Sequence, residues 1–323
     1  MVEPTTASRV HGCLLGGAVA EAAAQTADDG GRRFAAGTQL ALYTVDGLVE
    51  ALDWANQGVA ADETACLWLA YLRWFTAQGH RAPSSAPVPP ARWLDGQEAV
   101  RRPTAADPLC VSALATGEMG STGRPLNAGA RGSGAAVRSA PFGLVSRLDA
   151  AMVARLSSNG AALTHGDASD RESAAAFSLL IHAAVEGTGS LRACVARVEE
   201  YLGGQAGADG VLGALQDAVD AADTGTDADA PAAASFCAEP LAAAIHAVLA
   251  TDGAEPAQHF LDAVRLASQA GPAHAAAAVM AGSLLGAFYG EGCLPADGLA
   301  ALEGAEVVRT MAQELLKATG VEG

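Results

Sequence analysis

Apolar and small residues recur at helical spacing along most of this chain, and strand-like alternation is scarce. Val10 to Ala24 is a small-residue stretch in which Gly16-Gly17 would let a second helix approach closely. From Gln39 to Asn56, Leu40, Tyr43, Leu48, Val49 and Leu52 fall largely at helical positions, with Gly58 suited to the end. Asp62 is placed to N-cap a third helix that carries Leu69, Leu72 and Phe75 and stops at Gly79. Ser169-Asp170-Arg171-Glu172 matches a capping box and predicts a helix running to about Gly187. Helical patterns follow over Leu191 to Leu202, Ala232 to Leu249, Ala257 to Gln269 and Pro272 to Tyr289.

Two stretches break this rhythm. Pro83 to Pro90 reads as a surface loop. Pro103 to Arg138 is crowded with Gly, Ser, Thr and Asn, including Gly117, Gly120, Gly123, Gly129, Gly132 and Gly134, and reads as a long loop, either functional or disordered. No linker divides the pattern and no fixed period repeats. Residues 1–323 are therefore expected to form a single all-α domain.

Composition sharpens this picture. Half of the residues are hydrophobic but only 5% are aromatic, so the core must be packed mainly by Leu, Val, Ala and Ile. The formal net charge of −17 argues against nucleic acid as a partner, since no basic stripe overrides it. No uncharged apolar run is long enough to span a bilayer, and Met1-Val2-Glu3-Pro4 lacks a basic n-region, so a cytoplasmic protein without membrane contact is expected. The six cysteines form no C-x-x-C pair and are expected as buried free thiols.

Candidate chemistry comes from five segments in order. The opening His11-Gly12-Cys13-Leu14-Leu15-Gly16-Gly17-Ala18-Val19-Ala20-Glu21-Ala22 resembles the start of the ADP-ribosylglycohydrolase family, which includes the dinitrogen-reductase-activating glycohydrolases. Gly37-Thr38-Gln39-Leu40 resembles the tail of that family's S-D-D-T-Q motif. Gly132-Ser133-Gly134-Ala135-Ala136-Val137-Arg138-Ser139-Ala140-Pro141-Phe142-Gly143-Leu144 resembles its G-C-G-x-x-M-R-x-A-P-x-G-L motif. Leu163-Thr164-His165-Gly166-Asp167 resembles its T-H-G motif, and Val279 to Ala287 the helix after its D-x-D motif. Each segment is weak alone; the five together are specific.

The resemblance implies an orthogonal helical bundle of the ADP-ribosylglycohydrolase type, with a cleft for ADP-ribose and two divalent ions, magnesium or manganese, at its base. It implies hydrolysis of the bond joining ADP-ribose to a protein side chain. A hard dication there needs oxygen ligands. Here the first acidic pair falls on Ala36 and Gly37, with Thr38 matching, and the last motif falls on Ala273, His274, Ala275 and Ala276. The early Gly-Asp falls on Ala20-Glu21. No metal cofactor is therefore expected.

The expectation is a pseudoenzyme or metal-independent variant that binds an ADP-ribose-like small molecule or an ADP-ribosylated protein. Gly132, Ser133, Gly134, Arg138, His165 and Thr38 are its expected ligand contacts. Gly132-Ser133-Gly134 would offer backbone N–H groups to a pyrophosphate. Arg138 would pair with a phosphate or hold the loop in place. His165 would touch the ligand or cap a helix end. Two alternatives stand beside this: an active hydrolase of a ribosyl bond using Glu21, Asp28 or His165 without two metals, and a scaffold without a ligand. Glu21 is the candidate general base. Asp227-Ala228-Asp229 reads as a solvated acidic loop, and Asp28-Asp29-Gly30 as a turn. His11, His80, His182, His246 and His259 form no i, i+4 pair and carry no assigned role; His274 reads as filling vacated space.

Overall fold

The computed structural model describes residues 3–25, 33–187, 189–225, 239–269 and 274–321. Asp28, Asp29, Asp227, Asp229, Cys237, Ala273 and the side chain of His274 lie outside the described residues. Sixteen α-helices and no strands occur among those residues, as the helical periodicity predicts. They are α1 (Thr6–Ala24), α2 (Ala36–Asn56), α3 (Glu63–Ala77), α4 (Glu98–Arg101), α5 (Pro108–Ala115), α6 (Gly134–Val137), α7 (Ala140–Gly143) and α8 (Ala150–Ala162). There follow α9 (Ala168–Val185), α10 (Leu191–Gly203), α11 (Asp209–Thr224), α12 (Pro240–Ala250), α13 (Pro256–Ala267), α14 (His274–Tyr289), α15 (Ala296–Ala301) and α16 (Ala305–Thr319). A 3₁₀ turn at Trp93–Gly96 precedes α4. No described helix is long and apolar enough to cross a membrane.

The tightest packing follows from small residues. Gly12 and Gly16 of α1 face Gly286 and Gly282 of α14, and a Cβ on Gly282 would lie 2.5 Å from the Gly16 carbonyl oxygen. The two helices therefore meet backbone to backbone, which is why Gly16-Gly17 stands in the chain. Arg9, buried in α1, then ties helix ends together. Its guanidinium donates to the Ala184 carbonyl at the end of α9 (3.0 Å) and to Ala287 (3.2 Å) and Phe288 at the end of α14. A cation at these carboxyl ends satisfies carbonyls that have no intrahelical partner. Helix α9 is buried along nearly its whole length and packs on α6, α7, α8, α10 and α14, so it forms the middle of the bundle.

One expected core position and two expected boundaries change. Asp62 caps α3 as predicted, accepting from the Ala65 amide at 3.0 Å, but Leu67 rather than Leu69 is the fully buried leucine beside Leu72 and Phe75. Helix α9 begins two residues before the Ser169 box. Asp167 caps it, accepting from the Ser169 amide at 2.9 Å, so Ser169 and Asp170 lie inside the helix. The glycine-rich stretch contains a helix, α5, because Asp107 caps it (Leu109 amide, 2.8 Å) and Pro108 sits at its first position. The five described cysteines are free and buried, as expected.

Candidate functional site

The amino end of α2 is closed by a carboxylate from α1. Glu21 accepts from the amides of Ala35 (2.8 Å), Gly37 (3.0 Å) and Thr38 (3.0 Å), using both oxygens. These are the orphan donors of a helix start, aligned with the positive end of its dipole. The carboxylate is buried, and burial raises its pKa although the three amide bonds oppose the shift. Gly37 is required by this arrangement: a Cβ there would lie 2.6 Å from Glu21 Oε1 and 2.7 Å from Val137 Cγ1. Thr38 is buried beside Glu21. Gln39, next along, is fully buried. Its amide nitrogen donates to the carbonyls of Ala99 (3.1 Å) and Arg102 (3.0 Å), and its oxygen accepts from Trp74 Nε1 (3.0 Å) and Thr104 (3.2 Å). It pins the 99–104 segment to the bundle.

Val137 links this end of α2 to the Gly132–Arg138 turn. Gly132 and Gly134 were expected to present exposed amides, and the structure corrects this. The Gly132 amide donates to Asp170 Oδ2 (2.8 Å) and the Gly134 amide to Asp107 Oδ2 (2.9 Å). The turn itself stays half-exposed, with Ser133 making no side-chain cap. Arg131 runs along its rim, pairing with Asp170 (2.7 Å), Glu239 (3.3 Å) and Asp167 (3.6 Å). Burial raises the carboxyls of Asp170 and Glu239, against the opposing effect of Arg131 on both.

Arg138 is buried almost completely. Its guanidinium lies 4.4 Å from the centre of the Tyr71 ring and donates to the Gly160 carbonyl (3.1 Å) and Thr164 Oγ1 (2.8 Å), with Cys110 Sγ at 3.0 Å. Of the two roles expected for Arg138, these contacts are those of a loop anchor. They also orient His165. The Asp107 carboxylate can only accept, so His165 donates to its Oδ2 through Nε2–H (3.4 Å), and in the neutral ring Nδ1 then accepts from the Thr164 hydroxyl (2.8 Å). Burial alone would raise the Asp107 carboxyl; the His165 bond and the Leu109 and Gly134 amides override it and hold it at about 2.

Glu21, Thr38, Gly132, Ser133, Gly134, Arg138 and His165 therefore share one region, bridged by the Gly37–Val137 contact and by Asp107. Asp107, Asp170, Arg131 and Glu239 were not anticipated as part of it. Asp107 carried a signal, a helix-capping Asp directly before Pro108; the other three are far apart in sequence and carried none. Among the described residues no group of three or more His, Cys, Asp or Glu is arranged to hold a metal ion.

Among solved structures, one titled an ADP-ribosylglycohydrolase-related protein complex superposes with a TM-score of 0.62 at 21% identity, covering 97% of this chain and 99% of that one. That likeness speaks for the fold alone. No curated protein matches. The family model described as ADP-ribosylglycohydrolase matches residues 2–323, so from its first helix to its last the chain belongs to the ADP-ribosylglycohydrolase family.

Proposed function

We propose that this family member works without a binuclear metal centre and binds ADP-ribose or a related nucleotide in the region between α2, the Gly132–Arg138 turn and His165. One observation carries the reading: the amino end of α2 is filled by Glu21. Both carboxylate oxygens are committed to three backbone amides, and no side chain fits at Gly37 without meeting Glu21 and Val137. Ala36 and Gly37, like Ala275 in α14, offer no oxygen ligand. A dication placed here would face the positive end of a helix and a carboxylate both of whose oxygens already accept backbone amides. The described residues at this end of α2 do not fit two magnesium or manganese ions.

The half-exposed turn supports the binding half of the reading. An anionic ligand would compete with Asp107 and Asp170 for the Gly132 and Gly134 amides, with Ser133 between them as an uncommitted cap. Glu21 is buried and serves as the cap of α2, with Oε2 accepting two amides and Oε1 one, so this geometry assigns it a structural role first.

Calorimetry with ADP-ribose, with and without magnesium, tests this. Equal binding in both, with no release of free ADP-ribose from a modified protein, is the expected result. Metal-dependent binding or turnover would sink it. If no nucleotide raises the melting temperature, the scaffold alternative stands instead, because a ligand of the native state must stabilise it.

A further inference from the structure

About halfway along α2, roughly 15 Å from its amino end at 1.5 Å per residue, lies a second charged site that the family cleft does not use. Asp46 is buried there between two guanidiniums: Arg73 of α3 on one oxygen and Arg92 Nε (2.9 Å) on the other. Arg73 Nε also pairs with Asp95 (3.6 Å), and Asp95 accepts from Tyr43 (3.0 Å) and the Arg92 amide (2.7 Å). Beside this network is a cavity of about 490 Å³, within the range of small-ligand sites. Asp46 and Arg92 form its charged floor, Val49 and Met311 an apolar wall, and Trp93 and Glu314 its rim.

Three features decide what fits. Both arginines of the network already face carboxylates, so the floor holds no surplus positive charge. Glu314, exposed on α16, has no cationic partner among the described residues. Trp93 leaves half of its surface exposed, and among the described residues the guanidinium that covers an aromatic ring is Arg138 over Tyr71, not one over Trp93. Trp93 and Glu314 line the same cavity, and an indole and a carboxylate each attract a cation, while Val49 with Met311 offers an alkyl stem its desolvation. Glu50 and Asp53 on the same face of α2 act on Arg92 and add to the negative field.

We propose that this cavity is a binding site for an alkylammonium group, its charge held between Trp93 and Glu314 and its stem against Val49 and Met311. The shared chemistry is the alkylammonium itself, and the test separates its two sources, a free amine and a lysine side chain displayed on another protein. The site is independent of the nucleotide reading above.

Titration calorimetry on the full chain tests it with pentylamine, its neutral isostere pentan-1-ol, its anionic counterpart pentanoate, and a short peptide carrying one lysine. The expected order is pentylamine at least ten-fold tighter than pentan-1-ol, with pentanoate weakest. Glu314→Gln and Trp93→Leu, both surface changes whose folding is checked by thermal melts, should each weaken pentylamine three- to ten-fold while leaving ADP-ribose binding as it was. Tighter binding of the peptide than of pentylamine identifies a protein-borne lysine; the reverse identifies a free amine. Equal affinity for pentylamine and pentan-1-ol, preference for pentanoate, or indifference to both substitutions would overturn the proposal.

Discussion

Glu21 and Asp107 do the same job at two edges of one region, and their carboxyls shift in opposite directions. Glu21 caps the start of α2 with three amides, and Asp107 caps α5 while holding the Gly134 amide. Burial raises Glu21 and the amides do not cancel it; Asp107 is held at about 2. Two things differ: Glu21 is the more deeply buried, and Asp107 has His165 Nε2 at 3.4 Å where Glu21 has the Thr38 side chain beside its amides. At Glu21 the donors fall short of offsetting deep burial, while at Asp107 two amides joined by a ring N–H outweigh a shallower one. Of the two carboxylates, Glu21 stands where the resemblance leads one to expect metal chemistry, and it is the one without a histidine partner.

The strongest way to break the comparison is to remove Glu21. Glu21→Ala strands three buried amides and should cost about 2–4 kcal/mol in urea unfolding. A loss within error would mean that water replaces the carboxylate. Next comes Gly37→Ala, whose methyl would sit 2.6 Å from Glu21 Oε1 and 2.7 Å from Val137 Cγ1. Overpacking of this kind costs about 1–3 kcal/mol, and Gly37→Asp should fare no better and recruit no magnesium in a calorimetric titration.

Acid titration of stability separates the two groups more finely. Asp107 lies below its unfolded value, so its contribution is present above about pH 4 and is lost as pH falls toward 2. Its partly exposed edge discounts that contribution to about 1–2 kcal/mol. Asp107→Asn should flatten this acid limb. Glu21 lies above its unfolded value, so the sign is reversed: its contribution is full below about pH 4.3 and is lost as pH rises through the raised value. Glu21→Gln should remove that decline and leave the Asp107 limb intact. If both variants flatten the same limb, the contrast between the two sites is wrong.

Much of the architecture was legible because it rests on local signals. Asp62 announces α3, and Gly16-Gly17 announces a close helix partner for α1, which the structure identifies as α14. Helix α5 escaped because six glycines in Pro103–Arg138 outweighed the brief Asp107-Pro108 start. The Ser169 box misled because Asp167, two residues earlier, offers the same kind of cap, which frees Asp170 to reach Gly132. The site was only partly legible. That position 37 lacks a carboxylate can be read directly; that Glu21 fills the space cannot, because the contact spans fourteen to seventeen residues and depends on how α1 crosses α2. Arg138 looked like a phosphate ligand because a buried arginine and an exposed one are the same letter, and Tyr71, Gly160 and Thr164 surround it only in three dimensions.

The α1–α14 seam has a consequence for how the molecule is made. Gly12 and Gly286 touch across more than 270 residues of chain, so α1 has no partner for its flattest face until α14 has left the ribosome. Until then a glycine-lined apolar surface stays open to solvent or to chaperones. Contacts of such sequence separation slow folding, and a chain emerging at about 5–20 residues per second leaves that face unpaired for many seconds. Closure of the seam is thus a late event, and substitutions at these glycines should reduce the yield of folded protein from a cell-free translation reaction more than they alter the finished molecule's secondary-structure content.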